Sequence, residues 1–120
     1  MRYLLDTQVL IWWFESSSRL SVEYKEIIES ESVKFVSVAS FWEMIIKIKA
    51  KKLKLKKSID FLIKSLDFQV LKINLDHVLA LQKISNYHKD PFDRMIIAQT
   101  KVEGLILLTS DKKIMRYFEG

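Results

Sequence analysis

Four carboxylates, Asp6, Glu43, Asp93 and Asp111, lie far apart in the chain but in comparable local settings. Asp6 closes the apolar run Tyr3-Leu4-Leu5 and has no charged neighbour through Leu10. Glu43 stands in the otherwise apolar stretch Phe41-Trp42-Glu43-Met44-Ile45-Ile46. Asp93 follows Asp90-Pro91-Phe92, and Asp111 follows Leu108-Thr109-Ser110. Carboxylates in apolar surroundings are costly unless paired, hydrogen-bonded or bound to metal. Gathered in one place, four of them repel and raise one another's pKa. A divalent cation relieves that repulsion. Mg²⁺ or Mn²⁺ takes oxygen ligands and keeps several waters, so a few carboxylates suffice. An ion held this way activates water and stabilises a phosphodiester during hydrolysis. Thr109 and Ser110 are read either as hydroxyls that orient ligands or water, or as ordinary turn and capping groups.

Each acid also has a local reading. Ser40-x-x-Glu43 fits a capping box, and Glu43 is spaced to pair with Lys47. Asp90-Pro91-x-Asp93 has the cap, proline and acidic first turn of any helix start. Asp111 is placed to cap a last helix. The readings part on whether the fold brings the four together.

The elements that must do so follow from hydrophobic periodicity. Strands are predicted at Tyr3–Leu5, Val33–Val38, Phe68–Ile73 and Leu105–Leu108. Helices are predicted over Thr7–Glu15, from Ser21 to about Ser30, from Ser40, from Ser58 through Leu66, over Leu75–Ile84, from Asp90-Pro91 and from Asp111. Strands alternating with helices predict an α/β fold with a mainly parallel sheet. Right-handed crossovers then set every strand C-terminus on one edge, where such folds bind ligands.

The 120 residues suit a single domain, residues 1–120, and 49% apolar content can fill one core. No stretch is apolar for long enough to span a bilayer. Asp6 interrupts what would be the apolar region of a signal peptide, so no export signal is read. The absence of cysteine excludes disulfides and thiolate metal sites and agrees with a cytoplasmic location. A net charge of +5 is compatible with a polyanionic partner. The basic run Lys47, Lys49, Lys51, Lys52, Lys54, Lys56 and Lys57 reads either as a solvated helix end or as a phosphate-attracting surface, with Lys47, Lys51 and Lys52 as the candidates to bind a polyanion. Trp12, Trp13 and Phe14 cannot share one narrow helical stripe, so at least one is expected to meet a loop or a partner. His77 and His88 are read as structural or hydrogen-bonding groups, since neither has an acid–base companion in a motif. Arg94 is a candidate to pair with a carboxylate or hold a phosphate.

Four segments together resemble the PIN-domain family, and within it the VapC-like toxins of toxin–antitoxin pairs. They are Tyr3-Leu4-Leu5-Asp6-Thr7, Ser40-Phe41-Trp42-Glu43 with Ile46-Lys47, His88-x-Asp90-Pro91-Phe92-Asp93-Arg94-Met95-Ile96-Ile97-Ala98-Gln99, and Leu107-Leu108-Thr109-Ser110-Asp111. The resemblance runs over nearly the whole chain. It implies a three-layer α/β/α sandwich around a mainly parallel sheet of four to five strands. It implies Mg²⁺- or Mn²⁺-dependent endonucleolytic cleavage of RNA, with Asp6, Glu43, Asp93 and Asp111 as catalytic metal ligands. Asp90, Thr7, Thr109, Ser110 and Arg94 are supporting candidates. It also implies a homodimer restrained by a cognate antitoxin. The chain departs from the pattern at Gln8, where many relatives carry His, and at Lys51, where a helix-ending glycine is common. With the sequence ending at Gly120, a final edge strand seen in longer relatives is left open.

Two other readings compete. A receiver-like regulatory domain also gathers acids at strand ends, but its opening acidic pair is absent here. A PIN-like domain that binds RNA without cutting it would not need all four acids.

Overall fold

Short hydroxyl and carboxylate side chains decide where the helices begin. In the computed structural model, which describes residues 1–85 and 90–118, Ser21 Oγ accepts the Tyr24 amide at 3.1 Å and opens α2 (Val22–Glu29). Ser58 does the same for Phe61 at the start of α4 (Ile59–Ser65). Asp6, Asp90 and Asp111 cap α1 (Thr7–Phe14), α6 (Pro91–Glu103) and α7 (Lys112–Tyr117). Each side chain satisfies an amide that the first helical turn leaves unpaired. The remaining helices are α3 (Val38–Lys49) and α5 (Leu75–Ala80), the latter followed by a 3-10 turn at Leu81–Lys83.

Two boundaries differ from the expectation. The cap of α3 is Ser37, whose hydroxyl accepts the Ala39 amide, and not Ser40. Ser40 is fully buried inside the helix and accepts a 2.9 Å hydrogen bond from the Thr7 hydroxyl. The Ser40–Glu43 capping box therefore does not form, and Glu43 lies beyond the first turn. The β-branched Val38 had lengthened the apparent strand, whereas β2 (Val33–Ser37) ends where Ser37 turns to cap. The third strand, β3, spans only Gln69–Leu71, because its one partner, β2, runs out at Ser37. His88 lies outside the described residues.

The sheet is wholly parallel, with order β3-β2-β1-β4, where β1 is Arg2–Leu5 and β4 is Ile106–Leu108. This is not the 2-1-3-4-5 order of a receiver-type domain. Alternation along β1 assigns the layers. Tyr3 and Leu5 face a core built with Val9, Leu10, Leu20 and Ile28, against which Ile59 and Ile63 also pack. Leu4 faces the opposite side, with Ile96 and Leu105. Helices α1, α2 and α4 thus cover one face and α6 the other, giving three layers. Helix α3 serves both, through Phe41 and Met44 on one side and Ala39 on the other. Trp12, Trp13 and Phe14 all pack part-buried against the first core. At the far end of α6, Gly104 takes the left-handed conformation (φ 64°) that lets the chain turn into β4.

The end of α3 carries a conformational cost. Lys51 sits at φ 59°, and the Lys52 amide reaches back 2.8 Å to the Lys47 carbonyl. A left-handed residue after a helix is where glycine is favoured. Lys51→Gly should therefore stabilise the protein by about 1 kcal/mol. Thermal melts check this, and an unchanged or lower midpoint would contradict it.

Candidate functional site

Strand β1 is central, so its C-terminal end is ringed by neighbours. Asp6 leaves it there, and the Asp6 amide donates to the Leu108 carbonyl at 2.9 Å, tying the exits of β1 and β4 together. A cleft of about 330 Å³ opens above this junction, lined by Asp6, Thr7, Gln8, Glu43, Lys47, Asp90, Asp93, Ser110 and Asp111. The topology thus gathers all four principal acids, with Asp90, from four separate segments. Three of the five, Asp6, Asp90 and Asp111, are also helix caps. Capping and cleft lining are joint roles here, not rival readings.

Each acid is held by particular partners. Asp6 is 5% exposed; its Oδ1 accepts the Thr7 amide at 2.7 Å and its Oδ2 the Thr109 hydroxyl at 2.7 Å. Thr109 also accepts the Asp111 amide, and its carbonyl accepts the Tyr24 hydroxyl at 3.0 Å. Thr109 positions Asp6 from behind and does not itself line the cleft. Asp90 Oδ1 accepts the amides of Phe92 and Asp93 at 2.8 and 3.0 Å. Asp111 Oδ1 accepts those of Lys113 and Ile114. Glu43, 7% exposed, binds Lys47 at 2.9 Å through Oε2, while its buried Oε1 has no hydrogen-bond partner among the described residues.

The electrostatics follow from this crowding. Burial is the largest cause raising the Asp6 pKa. The Thr109 and Thr7 hydrogen bonds oppose it, and the charges of Glu43 and Asp111 add to it. Asp93 is pushed up to about 7, first by burial, then by Asp90, Asp6, Glu43 and Asp111. As the side chains lie, no three carboxylates or imidazoles among the described residues are close enough to share one ion. Glu43 is turned to Lys47, and Asp90 and Asp111 to helix amides. The donor set nonetheless fits a hard divalent cation. It is all oxygen, its members repel one another, and one buried carboxylate oxygen is unpartnered.

Other candidates fall elsewhere. Ser110 lines the cleft, and Thr7 does so while bonding Ser40. Arg94 turns its guanidinium toward the carbonyls of Leu81 and Ile84, bracing the segment after α5. Lys47 lines the acidic cleft, and Lys52 an adjoining one. Lys51 instead lines a separate apolar groove between the end of α3 and the start of α4. His77 is fully buried, with Nδ1 accepting the Asn74 amide at 3.1 Å and Nε2 2.8 Å from Glu103. That is a structural link between α5 and α6. The residues that sequence reasoning missed are Tyr24 and Arg19. Tyr24 buttresses the Thr109 carbonyl 85 positions away, and nothing local announces that contact. Arg19 lines both clefts that adjoin the acidic one.

Comparison with known proteins agrees with this architecture. The PIN domain family model matches residues 3–119. No curated protein matches the chain. Among solved structures, a chain of a toxin–antitoxin complex from Klebsiella pneumoniae is similar at 22% identity, with TM-score 0.69 over 98% of this chain and 92% of that one. A chain of VapBC2 from Rickettsia felis, bound to a DNA fragment from its promoter, has TM-score 0.74 at 14% identity, covering 97% and 92%. One of VapBC-1 from nontypeable Haemophilus influenzae has TM-score 0.68 at 20% identity, covering 97% and 91%.

Proposed function

Since the chain belongs to the PIN-domain family, we propose that it is a metal-dependent endoribonuclease, the toxin of a toxin–antitoxin pair. One observation carries the reading: carboxylates from four distant segments converge on one cleft, with a buried Glu43 oxygen left unpartnered among the described residues. Asp6, Glu43, Asp93 and Asp111 would hold Mg²⁺ or Mn²⁺. When bound, such an ion supplies water activation and charge stabilisation at the phosphodiester. The chain's own part is to prepare that place. Thr109 and the Thr7 amide keep the Asp6 carboxylate aimed and favour its charged form. The N-terminal turns of α1 and α6 open at the cleft and favour a substrate phosphate. Lys47 balances Glu43 until the acids take up a cation.

The similar solved structures, described as toxin–antitoxin complexes, support an antitoxin as protein partner. Apolar surface supports protein contacts more generally. Trp42, Ile45 and Ile46 on α3, and Leu75, Val78 and Leu79 on α5, are all more than two-fifths exposed. A homodimer is part of this proposal. So is a cytoplasmic location; among the described residues, no helix is long and apolar enough to cross a membrane.

The test is direct. Purified protein should cut single-stranded RNA in Mg²⁺ or Mn²⁺ and stop in EDTA. Intact RNA in both metals, across a panel of structured and unstructured substrates, would remove the nuclease reading. Cutting that persists in EDTA would remove the metal.

A further inference from the structure

An acidic cleft repels the polyanion it must process, so attraction has to come from beside it. Two clefts of similar size adjoin it along α1. One, of about 300 Å³, is lined by residues including Gln8, Trp12, Arg19, Lys47 and Lys52, and shares Gln8 and Lys47 with the acidic cleft. The other, of about 340 Å³, includes Trp12, Arg19, Tyr24 and Ser110, and shares Ser110 with it. Trp12 and Arg19 line both, so the two flanking clefts meet at these side chains, and each shares a wall with the acidic cleft.

The placement has local causes. Gln8, Ile11, Trp12 and Glu15 recur at helical spacing, so one face of α1 runs from the acids into the flanking cleft. Trp12 is six residues beyond Asp6, ~9 Å along the helix axis. That is the reach of a nucleotide next to one held at the acids. The α1–α2 loop is pinned beside it. The Ser17 amide donates to the Trp12 carbonyl at 2.9 Å, and Ser17 Oγ accepts the Arg19 amide at 3.1 Å. Lys52 is set by its own amide bond back to Lys47. Arg19 and Lys52 are exposed, and neither has a carboxylate partner among the described residues. Among the described residues, Glu15 is the only acid lining the cleft they share.

An aromatic side chain flanked by unpaired cations is how proteins hold single-stranded nucleic acid: the base stacks and the backbone meets positive charge. We propose that Trp12, Arg19 and Lys52 form a subsite for one unpaired nucleotide adjoining the scissile phosphodiester. Its base lies against Trp12 and its phosphate between Arg19 and Lys52. The proposal rests on the nuclease reading for the word scissile, but the binding it describes does not depend on cleavage. A-form duplexes keep their bases stacked, so the subsite selects loops and single strands.

The experiment measures binding and cutting separately. Fluorescence anisotropy of a labelled ten-nucleotide single-stranded RNA is followed in the Asp6→Asn background, which keeps the probe intact. Trp12→Leu preserves packing on the core but removes the aromatic face, and should weaken binding about tenfold. Trp12→Phe should restore most of it. Arg19→Gln with Lys52→Gln lies on the surface and spares the fold. It should lower the slope of log affinity against log salt by about 0.7, the value for one neutralised phosphate on a single strand. In the Asp6 parent, the same changes should raise KM and leave kcat nearly unchanged. Parent-level RNA binding by Trp12→Leu overturns the subsite and leaves that face to a protein partner. So does equal weakening toward a duplex of the same sequence. If the parent cuts no RNA while these binding differences persist, the nuclease reading falls and the subsite stands.

Discussion

Asp6→Asn and Asp93→Asn will each lower RNA cleavage by at least about 100-fold, and both proteins will melt at a higher temperature than the parent. The first half follows from the assigned role. Removing even a partner that merely orients a metal ligand costs about 10- to 100-fold. Removing the ligand's charge at the centre of the cleft should cost no less. The second half follows from the electrostatics. Asp6 is almost wholly buried, and Asp93 is pushed up to about 7 by burial and by four neighbouring acids. Ionised at neutral pH without a cation, these groups oppose folding. An amide removes the charge and keeps the shape. At position 6 its oxygen can still accept the Thr7 amide, and its NH₂ can donate to Thr109, whose hydroxyl accepts as readily as it donates. A rise of about 4 °C per kcal/mol of relieved repulsion is the scale for a chain of this size. Single-turnover cleavage and melts in EDTA at pH 8 read the two halves. Cutting at the parent rate by either variant would dismiss the catalytic assignment. Lower melting points with dead enzymes would mean the acids are structural.

Metal-free protein should lose stability as pH rises from 5 to about 7, the reverse of the usual acid behaviour of carboxylates. Unfolded, Asp93 ionises near its ordinary value of 3.8; folded, it holds its proton until about 7. Between those values the native state binds more protons than the unfolded state, so stability falls with increasing pH and levels off above about 7. Asp6, also raised, contributes in the same sense. Added Mg²⁺ should reverse this. It competes with protons for the same oxygens, so its stabilisation should be large at pH 8 and small at pH 5. Cleavage should rise through the same window. Asp93→Asn should flatten much of the slope in EDTA. Melting temperatures in EDTA that are flat or rising between pH 5 and 7 would defeat this account. Equal stabilisation by Mg²⁺ at both pH values would do so too.

Both expectations depend on contacts of different range, and their range decides how legible each was. Helix starts at Ser21, Ser58, Asp90 and Asp111 could be read because a cap is a bond to an amide two or three residues away. The parallel sheet could be read because alternating short apolar runs and helices admit few other arrangements. The meeting of acids at one sheet edge follows from that topology, since each stands just beyond a strand or early in a helix leaving that edge. Ser37 against Ser40 could not be separated locally. Both are hydroxyls near a helix start, and only the Thr7 contact, 33 residues off, draws Ser40 into the interior.

What the amino-acid order determined alone is therefore the set of chemical groups, the helix starts at Ser21, Ser58, Asp90 and Asp111, and the architecture that carries them, all products of short-range bonding and periodicity. Tertiary packing decided the rest. It left one Glu43 oxygen unpartnered and propped Thr109 with Tyr24. It sent Lys51 and Lys52 into different clefts and set Trp12 and Arg19 in clefts that adjoin the acidic one. Those outcomes depend on how side chains distant in sequence share a close-packed, poorly hydrated space. No local pattern encodes that competition.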